Sequence, residues 1–199
     1  MEATSHSGQS FGRVGPNAII QLAAALSEAL GSAPRSQLFE TEGLGGYLRN
    51  PPQSMVDETE AARLFDAVCV ELSPALSQEV LTRAGQRTAA YVAANRIPKP
   101  LRRALRAAPA FIAAPILLWA IRKNAWTFAG SGSVATGLSP VYWIEIADNP
   151  LATPGCPWHT AVFETLFKDM ASPMATVRHT ACRRLSNGPC RFEIKIEAR

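Results

Sequence analysis

Charge is scarce in this 199-residue chain: Lys, Arg, Asp and Glu make up 18% of it, against about a quarter in an ordinary soluble domain. So light a polar coat leaves room for an apolar cavity or an exposed apolar patch. The net charge of +4 is too small and too diffuse to point to nucleic acid. Long hydrophobic runs are missing too. The longest, Ala107 to Ile121, is fifteen residues and is interrupted by Pro109 and Pro115. That excludes a bilayer-spanning helix and suits a buried or interfacial one. The first nine residues show neither a basic n-region nor an apolar h-region, so the expectation is a cytoplasmic protein, with contact at a membrane surface left open. Also lacking are a P-loop, a Gly-x-Ser-x-Gly elbow and a Cys-x-x-Cys pair. Gly130-Ser131-Gly132 has no third glycine and no following helix, so it reads as a turn and not as a dinucleotide fingerprint.

What is present is a run of helices followed by strands. Residues 1–13 read as disordered, and 14–199 as one domain. Gly15-Pro16 opens a first helix, and a short helix and loop follow in 35–52. Ser54 is placed to cap the next helix, with Glu58 and Glu60 on its solvated exterior. Ser73-Pro74 starts another that runs to about Asn95. On it Glu79 and Arg83 form an i,i+4 pair, and Gly85 signals close packing. Lys99, Arg102, Arg103 and Arg106 share one face of a basic helix with no acid between Arg96 and Arg106. Such a face is either solvated or a dock for carboxylates. Residues 109–124 are apolar nearly all round and read as a central buried helix. From Trp126-Thr127-Phe128 onward the pattern becomes strand-like, with a helix inserted after Cys156-Pro157. Phe192, Ile194 and Ile196 alternate with charged neighbours most clearly of all. Helices first and mostly antiparallel strands later make an α+β fold.

The cysteines gather late. Cys156, Cys182 and Cys190, with His179, form a set of soft donors that suits tetrahedral zinc. A reducing compartment favours metal over disulfide for clustered cysteines. His159 is the alternative fourth ligand, and inert buried cysteines are the alternative to any metal. One obstacle is geometric: in a regular strand His179 and Cys182 point to opposite faces, so both ligate only if a bulge or the strand end turns one of them. Four ligands close the site, which makes it structural and not hydrolytic. Trp119, Trp126, Phe128, Tyr142 and Trp143 cluster where helix passes to sheet. They are either core or the lining of a pocket for a flat apolar ligand.

Several stretches together resemble a known family. They are Gly15-Pro16-Asn17-Ala18-Ile19, Asn95-Arg96-Ile97-Pro98, residues 125–132, and Thr180-Ala181-Cys182 with Cys190-Arg191-Phe192-Glu193-Ile194. They are similar to the bacteriochlorophyll 4-vinyl reductase family of phototrophic bacteria, within the 4-vinyl reductase domain superfamily. The resemblance implies helices packed on one side of an antiparallel sheet, as in a small subunit of the vesicle-tethering TRAPP complex and in phenol-sensor ligand domains, often dimeric. It also implies a structural zinc: the sensors hold theirs with Cys, Glu, Cys and Cys at spacings that match Cys156, His179, Cys182 and Cys190, with imidazole here in place of carboxylate. The implied role is bacteriochlorophyll biosynthesis at or near reduction of the 8-vinyl (4-vinyl) group. Without a donor site, the expected role is an accessory protein that binds a magnesium-porphyrin or chlorophyllide intermediate and presents it to pathway enzymes beside the photosynthetic membrane. A true reductase and a sensor of another apolar ligand are the alternatives. For such a macrocycle Trp119, Trp126, Phe128 and Trp143 would supply the flat contact. Arg96, Arg102 and Arg103 would meet its propionate, and His159 would be an axial ligand to its magnesium.

Overall fold

A computed structural model describes residues 12–186 and 188–196. The chain order is β1 (Arg13–Val14), α1 (Asn17–Leu30), α2 (Ser32–Thr41), α3 (Gly46–Arg49), β2 (Val56–Asp57), α4 (Glu58–Glu71), α5 (Pro74–Asn95), α6 (Lys99–Ala107) and α7 (Ala110–Lys123). A 3-10 turn (Ala125–Thr127), β3 (Ser133–Gly137), β4 (Tyr142–Ala147), α8 (Pro157–Met170), β5 (Thr176–Ala181), α9 (Arg183–Ser186) and β6 (Cys190–Lys195) complete it. The fold is α+β, as the sequence pattern implies. Strands β3 to β6 form one antiparallel sheet in the order β3-β4-β6-β5. β1 and β2 pair separately.

Alternation along the strands decides which face the helices cover. Ile144 and Ile146 of β4, Phe192 and Ile194 of β6 and Val177 of β5 are buried, and α8 lies against them, with α5 packed on α8 and α1 on α5. The opposite face carries Trp143, Glu145, Arg178, Arg191 and Glu193. Arg191 bonds Glu145 at 3.1 Å, Arg178 bonds Glu193 at 3.0 Å, and the Arg191 guanidinium lies 4.5 Å from the Trp143 ring centre. Trp143 is therefore engaged on the open face of the sheet and does not line a pocket with the other nominated aromatics.

Several local expectations shift. Arg13 already pairs with Asp57, so regular structure begins before residue 14; residues 1–11 of the expected disordered stretch lie outside the described residues. That pairing holds 56–57 extended, so α4 cannot begin at Ser54. Its cap is Asp57, whose carboxylate accepts from the Thr59 amide at 2.8 Å. Glu58 is not idle on the exterior: it accepts from both the amide and the hydroxyl of Ser131, at 2.6 Å each, and so pins the glycine turn to α4. Arg83 pairs with Glu28 of α1 and not with Glu79. Residues 125–127 form a 3-10 turn and not a strand, with the Thr127 carbonyl accepting from the Gly15 amide. Finally, α7 is not central. Its Ala113, Ala114, Leu117 and Leu118 are buried, but Phe111, Ile112, Ile116 and Trp119 face outward.

The α5–α8 contact depends on a missing side chain. A Cβ at Gly85 would lie 2.4 Å from the Trp158 carbonyl oxygen and 2.9 Å from the Ala161 methyl. Gly85→Ala gains about 1 kcal/mol of helix propensity but forces two backbones apart. The expected net result is a loss of about 1–3 kcal/mol in urea unfolding, the usual range for overpacking; a gain in stability would contradict this contact.

Candidate metal centre

The four nominated ligands come from three elements that the chain must bring together from separate places. Cys156 precedes α8, following Gly155 at φ 73°, and is itself left-handed at φ 44°. A non-glycine residue pays about 1–2 kcal/mol for that conformation. Here the backbone holds it on both sides: the Cys156 amide donates to Thr153 at 2.9 Å and its carbonyl accepts from the Thr160 amide at 3.1 Å. Cys190 opens β6, opposite Ile146 of β4. Cys182 follows the last residue of β5, and its carbonyl accepts from the Leu185 and Ser186 amides of α9. The connection between Cys182 and Cys190 contains one turn of helix; Asn187 lies outside the described residues.

The obstacle at His179 is removed by a bulge. His179 faces Phe192 across the ladder and Ala181 faces Arg191, so two steps along β5 match one along β6. The extra residue, Thr180, reverses the alternation beyond it. His179 and Cys182 thereby reach the same side. The donor atoms of Cys156, His179, Cys182 and Cys190 all lie within 4.8 Å of one another. Cys156 Sγ and Cys190 Sγ are 3.5 Å apart, close to the roughly 3.8 Å edge that two sulfurs span on a tetrahedral zinc. His159 is not in this set.

The surroundings of the set favour a cation. All three cysteines are buried and free of disulfides. His179 stacks on Phe192 with ring centres 4.9 Å apart, and its Nε2 is buried with no hydrogen-bond partner among the described residues. The Arg183 amide donates to Cys190 Sγ at 3.5 Å. Cys190 is held well below the usual thiol range, first by the hydrogen bond from Cys156, then by His179, the Arg183 amide and Asn149 beside it. Cys156 is pushed up by the same hydrogen bond and by burial. A divalent cation held among these donors would supply the charge that lets all three thiols ionise. Asn149, only 2% exposed, also lies beside Cys190. Its position in Asp148-Asn149-Pro150 gave no sign that its amide borders a thiolate.

The nominated ligand-binding residues are not brought into one pocket. Phe128 is in the core, its ring centre 5.5 Å from that of Phe163. His159 is fully buried among Trp158, Phe163, Phe128 and Phe192, with ring centres 4.8 to 6.3 Å from its own. An axial ligand needs an open side for its metal, and this imidazole has none. Arg102 donates to the Ala93 carbonyl at 2.7 Å and lines a cleft of about 250 Å³ with Arg106 and Asp169. A second cleft, about 270 Å³, runs between α5 and α8 to His179. Both are below the usual range for sites that enclose a drug-sized ligand. Trp119 and Trp126 are exposed, as are Arg96 and Arg103.

No family model matches the chain. Two curated relatives do. The protein named bacteriochlorophyll synthase 23 kDa chain in Cereibacter sphaeroides is 38% identical over 193 residues, covering 94% of this chain and 92% of that protein. The protein of the same name in Rhodobacter capsulatus is 38% identical over 186 residues, covering 90% and 85%.

Burial pushes the His159 pKa down from 6.5 to about 4. Below pH 6.5 the unfolded chain therefore takes up a proton that the folded one refuses, and stability falls until pH 4. The loss is on the order of 3 kcal/mol. His159→Phe is expected to flatten that part of the stability profile, measured by urea unfolding from pH 7 to 4; an unchanged slope would contradict it.

Proposed function

The chain belongs to the family of the bacteriochlorophyll synthase 23 kDa chain, and on that premise we propose that it serves bacteriochlorophyll biosynthesis as an accessory protein. It binds a magnesium-porphyrin or chlorophyllide intermediate and presents it to pathway enzymes at or near the 8-vinyl reduction step. The near full-length similarity to two proteins so named supports the assignment to bacteriochlorophyll biosynthesis. The sheet supports the accessory role. It is antiparallel throughout, whereas doubly wound folds bind dinucleotides at the carboxyl ends of parallel strands.

Because the clefts are small, the macrocycle is assigned to the surface. Its flat face lies on the exposed indole of Trp126, and its propionate meets Arg96. That arginine has no carboxylate partner among the described residues. The protein works in the cytoplasm at the face of the photosynthetic membrane. The ion assigned to Cys156, His179, Cys182 and Cys190 is zinc. In a closed set it has no open position for substrate and serves to hold α8, β5 and β6 together.

Two experiments test this. Titrated with divinyl chlorophyllide, the pure protein is expected to shift the Soret band, and adding NADPH should leave the vinyl group intact. Loss of the vinyl group would instead make it a reductase, and no shift would remove the pigment. Trp126→Ala should weaken binding about tenfold, the equivalent of one aromatic contact with its buried area. Separately, protein purified without chelators is expected to carry one zinc per chain and Cys190→Ser well below that; a metal-free parent would contradict the assignment.

A further inference from the structure

The helix that the sequence placed at the centre of the molecule instead turns a stripe of large apolar side chains to the outside. On α7, Phe111 is 70% exposed, Ile112 44%, Ile116 41% and Trp119 61%. The spacing 112, 116, 119, 123 follows one helix face, while Ala113, Leu117, Leu118 and Ile121 fill the core behind it. Lys123 ends the stripe with Nζ 5.9 Å from the Trp119 ring centre, and Arg122 is beside it in the chain. Trp126, 55% exposed, follows one turn later, and Leu101, 45% exposed, precedes the stripe on α6.

Charge in the chain segment that carries the stripe has one sign. From Val80 to Ile144 the sequence contains nine Lys and Arg and no Asp or Glu. Arg83 and Arg87 are paired with Glu28, and Arg106 with Asp169. Arg96, Lys99, Arg103 and Arg122 have no carboxylate partner among the described residues. An apolar stripe with exposed tryptophans, bordered by unpaired cations, has the composition of an interfacial helix. A second copy of the chain fits less well, since a two-fold contact sets each patch against itself and opposes like charges.

We infer that α7 and the adjoining basic helix α6 are the membrane-docking face of this protein. Phe111, Ile112, Ile116 and Trp119 enter the headgroup–acyl boundary of an anionic bilayer, and Arg103 and Arg122 meet its phosphates. The chain does not cross the bilayer: among the described residues no helix is long and apolar enough to span one. The inference rests on the membrane-surface location proposed above and not on the pigment.

The test is vesicle co-sedimentation of the full chain without pigment. Phosphatidylcholine vesicles and phosphatidylcholine vesicles with about one-third phosphatidylglycerol are compared, the latter chosen for its negative surface potential. Binding is expected on the anionic vesicles, with a blue shift of tryptophan emission, and is weakened by salt. Arg103→Gln/Arg122→Gln should lower partitioning about 25-fold, taking about fivefold for each basic residue at the surface. Phe111→Ser/Ile116→Ser/Trp119→Ser should abolish it with the circular dichroism spectrum unchanged. Sedimentation with neither vesicle, or a triple variant that binds like the parent, overturns the inference. So does a parent dimer that the triple variant converts to monomer, because the stripe would then be covered by a second copy. Pigment titration of the parent in vesicle-free buffer is scored separately, so failure of docking and failure of the pigment reading give different results.

Discussion

Side chains on a β-strand alternate between faces, so His179 and Cys182, three positions apart, belong by default on opposite sides of β5. The extra residue Thr180 removes that constraint, and everything built at this end of the molecule depends on it. Without the bulge, Cys182 would point to the polar side of the sheet with Arg178 and Thr180, and three donors would be left beneath it. With it, the donors from the start of α8, the end of β5 and the start of β6 converge within 4.8 Å. The left-handed Cys156 belongs to the same arrangement: a strained backbone position is kept where surrounding bonds hold it and where its side chain is needed. The set joins the sheet to the layer of helices at a place where Phe192, His179 and His159 leave little other polar bonding.

Much of this was readable from sequence wherever a local rule and the tertiary structure agreed. Ser73-Pro74 both caps and starts α5, and its side chain accepts the Leu76 amide. The alternation from Cys190 to Lys195 is a strand with one buried face. Gly85 marks the close α5–α8 approach. The four converging donors were legible as residue types, and the need for a bulge followed from their spacing; its position at Thr180 did not. The failures have a common cause. An all-apolar helix such as α7 has no polar face to say which side is outward, so periodicity alone read it as buried on every side. Ser54 and Asp57 are equally good caps in isolation, and only the pairing of β2 with β1 chooses between them. Glu58 looked solvated because Ser131 is distant in sequence. His159 followed Cys156 at a familiar ligand spacing, but the first turn of α8 directs its ring into an aromatic core.

The structure separates two jobs. The three cysteines of the set are buried, and the role proposed for the four donors is that of a closed structural clamp. The exposed chemistry lies elsewhere, on the acid-free stretch that carries α6, α7 and the turn at Trp126. There aromatic surface and unpaired arginines lie next to one another in the chain. A protein that collects a flat, apolar, anionic macrocycle and passes it on needs such a surface to be accessible, and a rigid body behind it. The zinc proposed for the clamp would supply part of that rigidity at little cost in core volume, since three thiols and an imidazole already occupy the space.

X-ray absorption at the zinc edge of the native protein shows whether Cys156, His179, Cys182 and Cys190 make up the whole coordination shell. Expected are three sulfurs at about 2.3 Å and one nitrogen at about 2.0–2.1 Å, with no change when His159 is replaced. A shell with two or more nitrogen or oxygen neighbours, or one that changes when pigment is added, would contradict a closed structural site.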